Sequence, residues 1–91
     1  MSVTVRIPTQ LRSLTGGLGE VPVEASTLRD AIDALEAAHP GLRERLLDDT
    51  GGLRRFVNVF VADEDVRFLQ GLETSVQDGQ TISVVPAVAG G

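Results

Sequence analysis

Apolar and polar residues alternate at the start of the chain, where Val3, Val5 and Ile7 are separated by single polar residues. A period of two is typical of a strand with one buried face, and Pro8 marks its end. The same alternation returns at residues 20–24 and predicts a second short strand. We expect these strands to form an antiparallel hairpin whose connection is too long for a tight two-residue turn.

The next segment changes to a helical period. Its apolar residues fall on one stripe: Leu28, Ala31, Ile32 and Leu35. Thr27 is a suitable N-cap, and Asp30 three residues later makes an approximate capping box. Pro40 disfavours helical geometry at the residue before it, and Gly41 supports a helix end there. Residues 41–47 are expected to add one short helical turn.

The second half of the chain is predicted to be mainly strand. Residues 56–61 carry the strongest strand pattern, because β-branched and aromatic side chains follow one another there. A turn then leads into a short strand at residues 66–68, which forms a hairpin with the preceding strand. After an Asp-Gly turn, a last alternating strand is predicted at residues 81–85 and ends at Pro86.

The predicted order is strand, strand, helix, strand, short strand, strand. One amphipathic helix can cover one face of a mixed sheet, so the fold class is α+β, in outline the β-grasp or ubiquitin-like arrangement of four to five strands packed on one main helix. Right-handed topology places the first and last strands side by side and parallel in the middle of the sheet. We therefore expect a single domain at residues 1–86 and a flexible C-terminal tail at residues 87–91.

Size and charge exclude several classes of partner. A chain of 91 residues with 42% hydrophobic content forms one small core and leaves little room for a deep active site. The net charge is −5 and the arginines are dispersed, so nucleic acid and anionic membranes are poor partners. No stretch approaches the roughly 20 apolar residues of a membrane span, and no signal h-region is present. We expect a cytoplasmic protein.

Two residue types are missing from the sequence. Without cysteine the chain has no thiolate nucleophile, no disulfide and no thiolate metal site, so any sulfur that it handles cannot ride on a side chain. Without lysine it has no ε-amine to accept an isopeptide bond, and self-linked chains could form only through the N-terminal amine. A GC-rich genome that encodes arginine in place of lysine explains the second absence most simply.

The C-terminal residues carry almost no side-chain chemistry. Two successive glycines, Gly90 and Gly91, lose more conformational entropy on ordering than any other pair and let a partner's backbone close around the last peptide bonds. This composition suggests that the terminal carboxylate is the working group. The alternative is a frayed end or an expression scar.

Residues 72–91, with an Asp-Gly turn and a strand that ends in proline shortly before the terminal glycine pair, resemble the C-terminal signature of the bacterial ubiquitin-like sulfur carriers of the ThiS and MoaD type. The resemblance is closest to the actinobacterial branch associated with cysteine biosynthesis. It rests there on residues 3–14, 55–58 and 63–68 together with the C-terminal segment.

This resemblance implies a specific chemistry. An E1-like enzyme would use ATP to adenylate the carboxylate of Gly91, and a sulfur source would then displace AMP to leave a thiocarboxylate. A sulfur-accepting synthase would take the tail into its active site, and in the cysteine branch a zinc peptidase would release the product. The carrier itself would supply no catalytic side chain, no metal ligand and no bound cofactor. The partners would recognise the tail residues Pro86, Ala87, Val88, Ala89 and Gly90.

Alternation within residues 56–61 indicates a docking surface. If the valines of this strand face the core, Phe56, Asn58 and Phe60 point to the open face of the sheet and can bind a partner. The alternative is that the segment 41–53 covers both phenylalanines. His39 is interpreted as structural, because it lies at a helix C-terminus. The acids at 63–65 lack the spacing of a calcium loop.

Three other functions are compatible with the sequence. The chain could be a ubiquitin-like modifier that is conjugated through its C-terminal glycine, or the small subunit of a molybdopterin synthase. It could also be a β-grasp interaction module with an inert tail. The sequence does not identify which acceptor receives the sulfur.

Overall fold

The computed structural model describes residues 1–86 of the chain. It contains five strands, two α-helices and three 3₁₀ segments. The strands and helices are β1 (Ser2–Arg6), β2 (Glu20–Glu24), α1 (Leu28–Ala38), α2 (Leu42–Leu46), β3 (Val57–Val61), β4 (Glu64–Asp65) and β5 (Thr81–Pro86). The 3₁₀ segments are Thr9–Thr15, Val66–Phe68 and Gly71–Glu73.

All five strands form one mixed sheet in the order β2-β1-β5-β3-β4. β1 and β5 run parallel at its centre, with Val5 opposite Ile82, as the topology predicted. β2 pairs antiparallel with β1, and β3 pairs antiparallel with β5, so that Val57 lies opposite Pro86. The pairing of β5 with β1 ends at Ser83, whereas its pairing with β3 continues to Pro86, so the C-terminal end of β5 lies beside the beginning of β3.

The helix α1 begins and ends where the sequence predicts. The Thr27 side chain accepts a hydrogen bond of 3.2 Å from the Asp30 N–H, and the Asp30 carboxylate accepts one of 3.4 Å from the Ser26 N–H. The apolar stripe, from Leu28 to Leu35, is buried. α2 is the predicted short helical turn, and its Leu42 side chain is buried.

The core lies between α1 and one face of the sheet. Alternate residues of the strands supply its sheet side, among them Val3, Val5, Val59, Ile82 and Val84, all of which are buried. Period-two burial along each long strand explains why the alternation in the sequence was informative. In β3 the order of burial is buried, half-buried, buried, half-buried, buried.

Two predicted connections have a different local structure. Residues 66–68 were predicted to be a strand but form a 3₁₀ turn. The strand that forms the hairpin with β3 is instead the two-residue β4. Ala62 and Asp63 form the tight turn between β3 and β4, and both have the positive φ that a type I′ hairpin turn requires. The chain then turns inward, because Val66 is completely buried and Asp65 accepts a hydrogen bond from the Arg67 N–H.

The long connection between β1 and β2 also has structure of its own. Thr9–Thr15 is a 3₁₀ segment that ends at Gly16 in the left-handed conformation. The buried Thr15 hydroxyl bonds the Leu18 carbonyl at 2.8 Å and closes the loop. No helix within residues 1–86 is long and apolar enough to cross a membrane.

Candidate functional site

The candidate site begins at Pro86, the last described residue. Pro86 is half-buried and ends β5, which is hydrogen-bonded on both sides to β1 and β3. Partner recognition was predicted at residues 87–90 in addition to Pro86, and modification at Gly91. Residues 87–91 lie outside the described residues, and the prediction that they form a flexible tail falls there as well. Pro86, at the C-terminal end of β5, is therefore the base of the tail.

This base is firmly held. The side chains of Ile82 and Val84 are buried in the core, and β5 is a central strand of the sheet. Because β3 pairs with β5 as far as Pro86, the C-terminal end of β5 cannot shift without disturbing β3. Pro86 is thus held in a fixed position relative to β3.

The predicted alternation in β3 is confirmed. Val57, Val59 and Val61 are buried, whereas Asn58 and Phe60 are half-buried on the opposite face, where they lie across from Val85 and Ser83 of β5.

Phe56 lies in the turn before β3 and not in the strand, and 58% of its surface is exposed. The segment 41–53 therefore does not cover it. Whether Phe56, Asn58 and Phe60 bind a partner stays a prediction.

No sequence pattern predicted a role for Arg67, whose side chain binds the Val57 carbonyl beside the tail base. The Arg67 guanidinium donates to the Asn58 side-chain oxygen through Nη1 and to the Arg54 and Val57 carbonyls through Nη2, each at 2.8 Å. These acceptors lie 9 to 13 residues away in sequence, so no local pattern could have indicated them. Arg67 joins the 3₁₀ turn after β4 to the segment that leads into β3.

Two acidic groups have lowered pKa values for structural reasons. The N–H groups of Arg43 and Gly41 donate to the Glu36 carboxylate and lower its pKa. The Thr50 hydroxyl, followed by the Gly52 and Thr50 N–H groups, lowers the pKa of Asp48. In both cases hydrogen bonds favour the ionised form. These carboxylates hold the start of α2 and the loop after it.

His39 and the acids at 63–65 are the remaining candidate residues from the sequence. Within residues 1–86, no group of three histidine or acidic side chains is placed to hold a metal ion. His39 lies at the C-terminal end of α1, where its N–H bonds the Leu35 carbonyl at 2.7 Å. Asp63 and Glu64 are exposed, and Asp65 is used to cap the following turn.

Comparison with known proteins identifies the family. The ThiS family model matches residues 5–91, which includes the terminal glycine pair. The sulfur carrier protein CysO of Mycobacterium tuberculosis is 52% identical over 93 residues that cover 100% of both chains. Small archaeal modifier protein 3 of Haloferax volcanii is 41% identical over 66 residues, which cover 72% of this chain and 71% of the modifier.

A solved structure agrees with the described fold. The crystal structure of the Amycolatopsis orientalis BexX/CysO complex contains a chain that is 50% identical, with a TM-score of 0.93 over 98% of this chain and 99% of that one. This likeness, together with the mixed five-stranded sheet packed on α1, confirms the predicted β-grasp fold.

Proposed function

Because this chain belongs to the ThiS family, we propose that it is a sulfur carrier that holds sulfur as a thiocarboxylate on Gly91. The observation that carries this proposal is the 52% identity to a sulfur carrier protein over the full length of both chains. The family match that extends to residue 91 supports the choice of Gly91 as the carrying residue.

The proposed chemistry has two steps. An E1-like enzyme transfers AMP from ATP to the Gly91 carboxylate and releases pyrophosphate. The resulting mixed anhydride has an electrophilic carbon and a good leaving group, whereas the free carboxylate resists nucleophiles because it is already negatively charged. A sulfide source then attacks this carbon and displaces AMP, which leaves the thiocarboxylate.

A cysteine-free chain suits this role. Because there is no thiol, sulfur on the chain can be held for transfer only at the terminal carboxyl group. A thioacid is more acidic than a thiol and is therefore anionic at neutral pH without a tuned pocket. The carrier then needs no catalytic side chain of its own, which supports a role as a protein cosubstrate of partner enzymes.

The proposed partners act in succession on the same tail. An E1-like enzyme activates it, and a synthase accepts the sulfur into cysteine or another sulfur-containing metabolite. If the product is cysteine, a zinc peptidase releases it. The crystal structure of a BexX/CysO complex supports the proposal that carriers of this kind bind partner proteins. We propose that this chain does so through a surface of its folded domain. Phe56, Asn58 and Phe60 are proposed to contribute to that surface.

Intact-mass spectrometry tests the function. The purified chain is incubated with ATP, sulfide and an E1-like activating enzyme, and its mass should rise by the difference between one sulfur and one oxygen atom. A variant that lacks Gly91 is the control and should not change. If the wild-type chain keeps its mass with an enzyme that sulfurates the M. tuberculosis carrier, the proposal is wrong.

A second function is favoured by one relative. The 41% identity to a small archaeal modifier protein supports conjugation of Gly91 to amines of other proteins. Immunoblots of cell extracts distinguish the two functions. High-mass adducts that disappear when Gly91 is deleted would support a modifier, whereas the free chain alone would support the carrier.

A further inference from the structure

Two of the three phenylalanines lie outside the core, in segments that the Arg67 side chain links at the beginning of β3. Phe68 is 86% exposed and Phe56 is 58% exposed. Single exposed apolar side chains are common on protein surfaces. Here, however, most of the aromatic content of the chain is left in water, and both side chains belong to segments that flank the beginning of β3.

Arg67 connects the backbones that carry these two side chains. Its guanidinium binds the carbonyls of Arg54 and Val57, on either side of Phe56 in the sequence, and Arg67 itself precedes Phe68. The Arg67 N–H is held in turn by the Asp65 carboxylate at 2.8 Å. Both phenylalanines are therefore presented by hydrogen-bonded backbone, which lowers the entropic cost of using them to bind a partner.

The position of these residues determines which protein can meet them. Val57, whose carbonyl Arg67 binds, lies opposite Pro86 in the sheet. Five residues separate Pro86 from the end of the chain, and five residues span at most about 18 Å. The catalytic centre of an enzyme that acts on the Gly91 carboxylate must therefore lie within about 18 Å of Pro86, which pairs with the beginning of β3.

The unmodified tail can contribute little binding energy to a complex with an activating enzyme. Residues 87–91 have only small side chains, so their burial contributes little binding energy. The enzyme that first binds the unmodified carrier must obtain the rest from the folded base. Aromatic and arginine side chains are the residues that most often supply such energy at interfaces.

The charge near Phe56 indicates the chemistry of the facing surface. Arg55 is exposed and forms no hydrogen bond or ion pair through its side chain within residues 1–86. Arg54 donates to the Glu44 carbonyl and lies near Asp48, so its charge is partly balanced within the chain. Arg55 is thus available to a carboxylate on another protein.

We propose that Phe56, Phe68 and Arg55, held in place by Arg67, form the surface that binds the tail-activating enzyme. The enzyme would meet this surface with an apolar pocket bordered by carboxylates. This inference rests on the proposed function, because it takes the partner to be the enzyme that adenylates Gly91. It adds Phe68, Arg55 and Arg67 to the docking residues predicted from the sequence.

Calorimetric titration of the full chain with a purified E1-like activating enzyme tests the proposal. Phe68→Ala and Phe56→Ala should each raise Kd about tenfold or more, as expected for central interface aromatics. Arg55→Glu should raise Kd most at low salt, because it replaces an attraction between opposite charges by a repulsion. In a pyrophosphate-release assay the same variants should raise KM and leave kcat unchanged.

Two control variants locate the effect. Leu18→Ala removes an exposed apolar side chain just before β2, which is separated from β3 by β1 and β5, and Arg29→Glu reverses a charge on α1. Both should bind within about twofold of the wild-type chain. If Phe68→Ala and Phe56→Ala also bind within twofold, or if Leu18→Ala loses as much affinity as they do, the proposal is overturned.

The outcome separates this proposal from the function on which it rests. Conversion of the wild-type chain to the thiocarboxylate with unchanged KM for Phe68→Ala would overturn the docking surface alone. Binding that depends on Phe68, with no gain of sulfur by the wild-type chain, would overturn the carrier function and leave the docking surface supported.

Discussion

The two faces of β3 differ in what their side chains do. Val57, Val59 and Val61 are buried against the core, whereas Asn58 and Phe60 are half-buried on the open face of the sheet. The first set stabilises the fold through apolar burial. The second is left accessible, and Asn58 is used to bind Arg67.

This difference shows how a small chain separates stability from recognition. All of its catalytic chemistry is proposed to occur on partner proteins, so its surface can serve binding while the helix-facing side carries the core. Variants on the helix-facing side should therefore change the free energy of unfolding most, and variants of the exposed aromatic side chains near the tail base should mainly change binding. Three stability predictions, from the largest expected effect to the smallest, test this separation.

Leu35→Ala should lower the free energy of unfolding by about 2–5 kcal/mol, because it removes a fully buried side chain and leaves a cavity. Leu35 is only 1% exposed on the inner side of α1. Urea denaturation followed by circular dichroism measures the change. Phe68→Ala is the control and should change stability by less than about 0.5 kcal/mol. Comparable losses in the two variants would show that the exposed aromatic also supports the fold.

Arg67→Met should lower the free energy of unfolding by about 1–2 kcal/mol, because the hydrogen bonds to two carbonyls and one side-chain oxygen are lost. Methionine keeps a long unbranched side chain, so the loss of apolar packing is small. Hydrogen exchange should become faster at the beginning of β3. Arg45→Met is a matched control on α2, where the arginine is exposed. Equal stability of the two variants would contradict the role assigned to Arg67.

Glu36→Gln should have the smallest effect, and one that depends on pH. Hydrogen bonds from Arg43 and Gly41 lower the pKa of Glu36 in the folded chain below its ordinary value of 4.5. The ionised carboxylate therefore contributes stability above pH 4.5, and this contribution is lost as pH falls through the lowered pKa. Thermal unfolding should show a gap between wild-type and variant at pH 7 that narrows at acidic pH.

Glu24→Gln provides the control for this measurement, since its carboxylate accepts no hydrogen bond within the part of the chain that the structure describes. A gap between wild-type and Glu36→Gln that widens on acidification would show that the ionised form of Glu36 does not stabilise the start of α2.

Most of the fold could be predicted because its signals are local. Alternation marked β1 and β3, the apolar stripe marked α1, and Thr27 marked the helix start. Each of these patterns reflects the geometry of a single element. The turn at Val66–Phe68 was wrongly predicted as a strand, because the burial of Val66 and the bond to Asp65 outweigh local strand propensity.

The sequence by itself determined the order of elements, the helix-facing core and the resemblance that points to Gly91. Only the tertiary structure decided which residues lie beside the base of the tail. Arg67 reaches the segment before β3 across 9 to 13 residues of sequence, and β5 brings Pro86 opposite Val57. Secondary-structure periodicity depends on neighbours within one element, whereas such contacts depend on how separate elements pack, so no local pattern encodes them.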